Sequence, residues 1–266
     1  MDRRKIIYCN CSGRSNVAAA KTAAVRRMLG AVDGDVIAVP DLCRMAAKNS
    51  KRLRDLAAAP ELVVIACYPR AVKWLFAYAG VSLETKNVTF CNMRTQSAPE
   101  IARHLGLQEA AEGDLVPLQE HEDTTDSWVP WYPVIDRERC SGCRQCVNFC
   151  LFGVYELDEA GNVTVVNPEQ CKNNCPACAR MCPEVAIMFP KIDEISPIAG
   201  DPVDPEKAPH GKVRVNVREL FNGNIHEKLQ KRRQSRLTRT RPSKKDEHDT
   251  GVDKTHDSGD GSASAD

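Results

Sequence analysis

The sequence contains one short run in which cysteines recur at nearly fixed spacing, Cys140-Ser141-Gly142-Cys143-Arg144-Gln145-Cys146-Val147-Asn148-Phe149-Cys150. The spacing follows the pattern C-x2-C-x2-C-x3-C. The first three thiolates can wrap a tight loop around three corners of an iron-sulfur cubane, where each iron requires tetrahedral sulfur. The fourth, Cys150, is expected to begin a helix and to point away from that loop. The run therefore predicts a [4Fe-4S] cluster and a further thiolate from elsewhere in the chain.

A second cysteine-rich run follows the first. It reads Cys171-Lys172-Asn173-Asn174-Cys175-Pro176-Ala177-Cys178-Ala179-Arg180-Met181-Cys182-Pro183. Between the two runs, residues 154–157 and 163–166 are β-prone and flank a turn at 158–162, which predicts a hairpin.

The two runs resemble the bacterial-type ferredoxin domain with two [4Fe-4S] clusters, over residues 134–196. In that family the fourth cysteine of a run binds the cluster of the other run. The resemblance implies two ligand sets, Cys140, Cys143, Cys146 and Cys182 for one cluster and Cys171, Cys175, Cys178 and Cys150 for the other. Leu151 departs from the family because it replaces the usual proline. The second run also departs, since it has one extra residue between Cys171 and Cys175, which lengthens a ligand loop.

Before these runs, residues 1–108 alternate short apolar segments with longer Ala-rich amphipathic segments. The predicted elements are strands at 5–8, 36–39, 62–66 and 88–90 and helices at 17–30, 44–58, 70–79 and 98–105. The stretch Ser97-Ala98-Pro99-Glu100 fits a capping box at the start of the last helix. Compact apolar strands separated by helices are typical of a parallel sheet covered on both faces. The sequence therefore predicts a small α/β domain of flavodoxin-like or Rossmann-like type.

The other five cysteines each follow the carboxyl end of a predicted strand. They are Cys9 and Cys11 after the first strand, Cys43 after the second, Cys67 after the third and Cys91 after the fourth. In an open α/β sheet these ends meet at one edge, where ligands bind. The five thiols could supply four ligands for a third [4Fe-4S] cluster, and we expect Cys9 or Cys11 to be the spare one. The alternative is that they are small buried residues, because free cysteine is among the most buried residue types.

The α/β segment also resembles the amino-terminal segment of the flavin-binding subunit of the heterodisulfide reductase family. The matching stretches are Cys9-Asn10-Cys11, Asp41-Leu42-Cys43, Val63-Val64-Ile65-Ala66-Cys67-Tyr68-Pro69-Arg70 and Asn92-Met93-Arg94. In that family the region is implicated in binding a [4Fe-4S] cluster, so the resemblance implies a subunit that relays electrons in a related redox complex. Ser97 stands where the family has the cysteine of its last motif. The flavin-binding domain of that family requires a G-x-G-x-x-G turn, which this sequence lacks.

Three further segments complete the expected organisation. Residues 109–133 are expected to form a linker, residues 197–234 an extension with a short strand and a helix, and residues 235–266 a disordered charged tail. The aromatic residues Trp128, Trp131 and Tyr132 are expected to pack the linker onto a domain.

The composition limits the compartment and the function class. A chain of 266 residues can bury a core without disulfides, and a formal net charge of +1 gives no reason to expect DNA as a partner. No run is long and apolar enough for a membrane span, and no secretory signal is recognisable. We therefore expect a reducing cytoplasm, where clustered cysteines more often hold metal than form disulfides.

These patterns favour an iron-sulfur electron-transfer protein that is a non-catalytic component of an oxidoreductase. The expected partners are redox proteins, such as a flavoprotein or heterodisulfide-reductase-like subunits. Three alternatives stay open. Zinc could occupy the thiolate knuckles. The amino-terminal domain could bind a nucleotide, flavin or substrate in a redox enzyme, or the chain could be an iron-sulfur sensor or scaffold.

Overall fold

The computed structural model describes residues 4–14, 16–83, 87–107, 113–119 and 127–204. These ranges contain all thirteen cysteines, and each of them is free. The strand and helix expected within 197–234, and the tail expected at 235–266, lie outside the described residues. Within the described ranges no helix is long and apolar enough to cross a membrane.

Residues 4–107, called here the α/β part, alternate strands and helices as expected. The elements are β1 (Lys5–Cys9), α1 (Ala19–Gly30), β2 (Asp35–Val39), α2 (Leu42–Ala47), α3 (Lys51–Leu56), β3 (Glu61–Ala66), α4 (Pro69–Tyr78), β4 (Asn87–Asn92) and α5 (Ala98–Leu105). The single helix expected at 44–58 is wrong, because Asn49 adopts a left-handed conformation with φ of 52° and separates α2 from α3. The expected capping box of α5 is confirmed, since the Ser97 and Glu100 side chains each accept from the backbone of the other.

The four strands form a parallel sheet in the order β2-β1-β3-β4. Side chains alternate between its two faces. Ile7 and Val64 face one core, whereas Ile6 and Val63 face another. Because both faces of the central strands are buried, β1 and β3 are apolar after their first residue, and the expected parallel α/β sheet is confirmed.

Residues 134–204, called here the cysteine-rich part, contain short elements. They are β5 (Val134–Ile135), α6 (Gln145–Phe149), β6 (Tyr155–Leu157), β7 (Val163–Val165), a 3-10 helix (Pro168–Gln170), α7 (Ala177–Met181) and β8 (Ile187–Met188). Strand β5 pairs antiparallel with β8, and β6 pairs antiparallel with β7 in the expected hairpin. The expectation that Cys150 begins a helix is wrong, because α6 ends at Phe149 and Cys150 follows it as the C-cap in an extended conformation.

One hydrophobic core joins the α/β part to the cysteine-rich part. It includes Val64 of the sheet, Tyr132 and Phe189. Trp131 and Tyr132 are each 2% exposed, which confirms the expected packing of the aromatic residues before β5. Residues 113–119 run beside β2, where Gln119 N donates to the carbonyl oxygen of Ala38 at 2.7 Å. The two parts are therefore packed against each other over an extensive apolar contact.

Candidate functional site

A cavity beside β5 and α6 brings four cysteines of the cysteine-rich part together. They are Cys140, Cys143, Cys146 and Cys182. Apolar side chains such as Ile135 and Ile187 complete its walls. Gly142 and Arg144, with φ of 67° and 60°, turn the backbone sharply around the cavity. The result is a set of sulfur atoms around a sheltered space, as iron-sulfur ligation requires.

A second set of sulfur atoms lies close enough together for its members to repel one another electrostatically. It consists of Cys150, Cys171, Cys175 and Cys178. Burial raises the pKa of Cys171 to about 12, and repulsion from the other three sulfurs adds to the rise. Cys178 is also buried and accepts a hydrogen bond from Tyr155 Oη at 3.1 Å. These interactions place the four sulfurs in one neighbourhood, with a donor already aimed at one of them.

The two sets lie next to each other, and each contains the fourth cysteine of the other run. Cys182, from the second run, lies with the first set, whereas Cys150, from the first run, lies with the second. Burial raises the pKa of Cys146 to about 12, and repulsion comes from Cys178 as well as from Cys182 and Cys140. The backbone N–H of Ala186 donates to Cys182 Sγ at 3.4 Å.

The lengthened loop of the second run contacts the α/β part. Asn174, in this loop, has a left-handed φ of 60°. Its side-chain oxygen accepts a hydrogen bond from Arg14 Nη1 at 2.6 Å. The Arg14 guanidinium also lies over the Trp131 ring, 4.9 Å from its centroid. The extra residue therefore belongs to a loop that reaches the segment just after Cys11.

A third set of cysteines lies at the carboxyl edge of the parallel sheet. Cys9 ends β1, Cys67 follows β3, Cys43 lies in α2, and Cys11 follows β1. The strand order reverses between β1 and β3, and such a reversal is where open α/β sheets bind ligands. All four cysteines belong to, or pack against, the same core. The topology therefore gathers four thiols at the usual ligand-binding edge.

These four thiols lie in one largely buried environment and interact with one another. Burial raises the pKa of Cys67 to about 12, and repulsion from Cys11 adds to the rise. Burial also raises the pKa of Cys43, which interacts with Cys67, Cys11 and Lys191. Cys9 accepts a hydrogen bond from the backbone N–H of Leu42 at 3.4 Å. Burial therefore favours the neutral thiol form of these groups, and binding iron requires each ligand to lose its proton.

Cys91 is separated from these four thiols. It lies within β4 and belongs to the core on the opposite face of the sheet, with Ile65 and Met93. Burial alone raises its pKa to about 11. The sequence predicts Cys9 or Cys11 as the spare thiol, whereas the structure separates Cys91 from the other four. Because side chains alternate between the faces of a strand, a position near the end of β4 does not by itself bring Cys91 to the other thiols.

Sequence reasoning missed a buried ion pair beside the third set. Lys191 is 1% exposed, and its Nζ lies 2.5 Å from Asp41 Oδ2 and 3.5 Å from Cys11 Sγ. A β-carbon on Gly13 would lie 2.9 Å from Asp41 Oδ2, so glycine leaves room for the pair. The apolar context of Lys191 in Met188-Phe189-Pro190-Lys191 was the available sequence signal.

Two buried donors near this edge have no hydrogen-bond partner among the described residues. They are Trp131 Nε1 and Tyr68 Oη. Trp131 lies under Arg14, and Tyr68 directly follows Cys67. Buried donors without partners are rare, so they fit a site at which further acceptors can bind. In the described ranges no group of three or more His, Cys, Asp or Glu side chains is arranged to hold a single metal ion.

Comparison with known proteins agrees with the geometry of the cysteine-rich part. Residues 132–183 match the family described as 4Fe-4S dicluster domain. An uncharacterized ferredoxin of Methanocaldococcus jannaschii is 49% identical over 53 residues, which are 20% of this chain and 35% of that protein. The pyruvate synthase subunit PorD of the same organism is 35% identical over 64 residues, which are 22% of this chain and 73% of that protein.

The family match covers residues 132–183, and the chain spans about a third of the first relative's length. Within that part, the matched residues contain both cysteine runs and both sets of sulfur atoms. The chain belongs to the ferredoxins with a 4Fe-4S dicluster domain, which supports an iron-sulfur electron-transfer role for its cysteine-rich part.

Proposed function

We propose that this chain is an electron-transfer subunit with three [4Fe-4S] clusters, two in the cysteine-rich part and one at the sheet edge of the α/β part. A bound [4Fe-4S] cluster accepts and releases one electron at a time. The protein supplies the thiolates, excludes water and sets the reduction potentials. The gathering of four free thiols at the edge between β1 and β3 is the observation that extends the function beyond a two-cluster ferredoxin.

The ligands in the cysteine-rich part are proposed residue by residue. Cys140, Cys143, Cys146 and Cys182 hold one cluster, and Cys150, Cys171, Cys175 and Cys178 hold the other. The shared cavity supports the first assignment, and the mutual repulsion of the sulfurs supports the second. Hydrogen bonds from Ala186 N and Tyr155 Oη to cysteine sulfurs would stabilise the added negative charge of a reduced cluster.

The third cluster is proposed to be held by Cys9, Cys11, Cys43 and Cys67, with Cys91 as the spare thiol. The strand order β2-β1-β3-β4 agrees with the flavodoxin-like order, in which the reversal between β1 and β3 is the binding edge. This agreement supports a flavodoxin-like sheet. Trp131, at 2% exposure and with an unpartnered donor, supports a ligand that offers acceptors near that edge.

The partners are proposed to be other subunits of a redox complex. One relative is itself named as a subunit of pyruvate synthase. The motifs around Cys9, Cys43 and Cys67 support a heterodisulfide-reductase-like complex, in which this chain would pass electrons between proteins. Thirteen free cysteines support a reducing cytoplasm as its compartment. The identity of the donor and acceptor follows from which subunits are isolated together with the tagged chain.

The test compares Cys67, which follows β3, with Cys91, which lies within the neighbouring strand β4. The full chain is purified without oxygen as wild type, Cys67→Ala and Cys91→Ala, and iron and acid-labile sulfide are measured per chain. With four irons in each cluster, Cys67→Ala is expected to hold about eight irons, whereas the wild type and Cys91→Ala hold about twelve.

Five results would count against parts of the proposal. Full iron in Cys67→Ala removes the third cluster, and loss of iron in Cys91→Ala removes the assignment of the spare thiol. Zinc without sulfide would replace the clusters altogether. Bound flavin or nucleotide in the purified wild type would favour a redox enzyme instead. A complex that forms only when residues 235–266 are present would favour a scaffold.

A further inference from the structure

Lys191 belongs to the cysteine-rich part, but its side chain lies at the third cysteine set in the α/β part. The backbone that carries it, residues 189–194, is fixed to the α/β part by Arg94. The Arg94 guanidinium donates to the carbonyl oxygens of Ile192 at 3.1 Å and Glu194 at 3.2 Å. The segment therefore covers the edge where the four thiols meet.

The position of the Lys191 ammonium is tightly fixed. Its side chain is 1% exposed, and that of its partner Asp41 is 2% exposed. Asp41 also accepts from the backbone N–H groups of Gly13 and Arg44, each at 3.2 Å. An unpaired buried charge is strongly unfavourable, so the aspartate is what allows the ammonium to lie here. Nζ also contacts Cys11 Sγ at 3.5 Å.

The charge balance of this site depends on the redox state. Reduction brings one electron from an external donor to the sulfur-rich centre, breaks no ligand bond and adds one negative charge. An adjacent buried cation stabilises the more negative state, because screening by water is weak there. The Asp41 carboxylate, which is paired with the ammonium, opposes this effect. The two residues therefore act on the reduction potential in opposite directions.

We propose that Lys191 sets the reduction potential of the third cluster by direct electrostatic stabilisation of its reduced state, with Asp41 as the counter-charge. This inference rests on the proposed third cluster. In this arrangement, the residue that sets the reduction potential of a cluster in the α/β part comes from the cysteine-rich part. The two parts together form one redox site, and the thiols alone do not determine its potential.

The test is a redox titration of the full chain followed by electron paramagnetic resonance. The signal of the third cluster is the one that Cys67→Ala lacks. Lys191→Met is expected to lower the equilibrium constant for reduction of this cluster about tenfold, which is 59 mV for one electron. Asp41→Asn keeps a side-chain cap for α2 and leaves the ammonium uncompensated, so it is expected to shift the potential upward.

Lys73→Met is the matched control, because Lys73 forms an ion pair with Glu138 across the same contact at 2.5 Å. It is expected to leave the potential of the third cluster unchanged. An unchanged potential in Lys191→Met, or shifts of the same sign in Lys191→Met and Asp41→Asn, would overturn the inference. If Lys191→Met no longer holds the cluster, the test rests on Asp41→Asn alone. The absence of an upward shift in that variant would then overturn the inference. About eight irons in the wild type would instead refute the third cluster itself.

Discussion

At the residue scale, the contacts of individual sulfur atoms distinguish the three cysteine sets. Cys178 accepts a hydrogen bond from a tyrosine hydroxyl, Cys182 from a backbone N–H, and Cys11 from a buried ammonium. Hydrogen bonds and charges next to sulfur are the main means by which a protein changes the potential of an iron-sulfur centre. The three sets are therefore expected to have three different potentials.

Tyr155→Phe tests this view at a single hydrogen bond. The change removes the donor 3.1 Å from Cys178 Sγ and keeps the ring in the core. Because the hydrogen bond would stabilise the reduced state, its loss should lower the equilibrium constant for reduction of the cluster proposed for the second set severalfold, up to about tenfold or 59 mV. Redox titration of the full chain measures the shift, with iron content unchanged.

Tyr78→Phe is the control for the loss of a tyrosine hydroxyl. Tyr78 Oη donates to the carbonyl oxygen of Val165 at 3.2 Å and not to a sulfur. It should leave all three potentials unchanged. Equal shifts in Tyr155→Phe and Tyr78→Phe would mean that the effect comes from the core and not from the Cys178 sulfur.

At the element scale, helix α4 anchors the α/β part to the cysteine-rich part. Arg70, in its first turn, donates to Asp136 Oδ2 at 2.7 Å and to the carbonyl oxygens of Val185 at 2.6 Å and Pro197 at 3.0 Å. The side chains of Arg70 and Asp136 are 14% and 4% exposed. Val185 has a φ of 52°, which is unusual for a β-branched residue and directs its backbone into this network.

Arg70→Ala is expected to lower the free energy of unfolding by about 3 kcal/mol, because it leaves Asp136 buried without its cation. Lys73→Ala, one turn along the same helix, removes a more exposed ion pair with Glu138 and should cost less than about 1 kcal/mol. Urea denaturation of the full chain measures both values. Equal losses in the two variants would show that the buried network adds no special stability.

The elements also show what the sequence could and could not predict. The strands were predictable because each is a compact apolar run, and α5 because its capping box is local. The division between α2 and α3 depends on a left-handed Asn49 that apolar periodicity does not reveal. The separation of Cys91 depends on which face of β4 it occupies, and the strand's weak alternation gave no clear answer.

At the scale of the whole molecule, the sequence predicted two kinds of folded unit but not their contact. The dicluster domain was predictable from cysteine spacing, because each of the two cysteine runs is short and regular. Lys191 could not be assigned to Cys11 in the same way, because the two are 180 positions apart and are brought together only by the packing of the two parts. The shared core that includes Phe189 and Val64 is what makes this contact possible.

The most direct test of the account counts the electrons that the full chain takes up. The anaerobically purified protein is titrated at an electrode across about −700 to +450 mV, the range of protein iron-sulfur centres. Three one-electron clusters predict reversible uptake of about three electrons per chain. Uptake of about two would leave the α/β part without a cluster. No reversible uptake across that range would contradict the assignment of this protein as an iron-sulfur electron carrier.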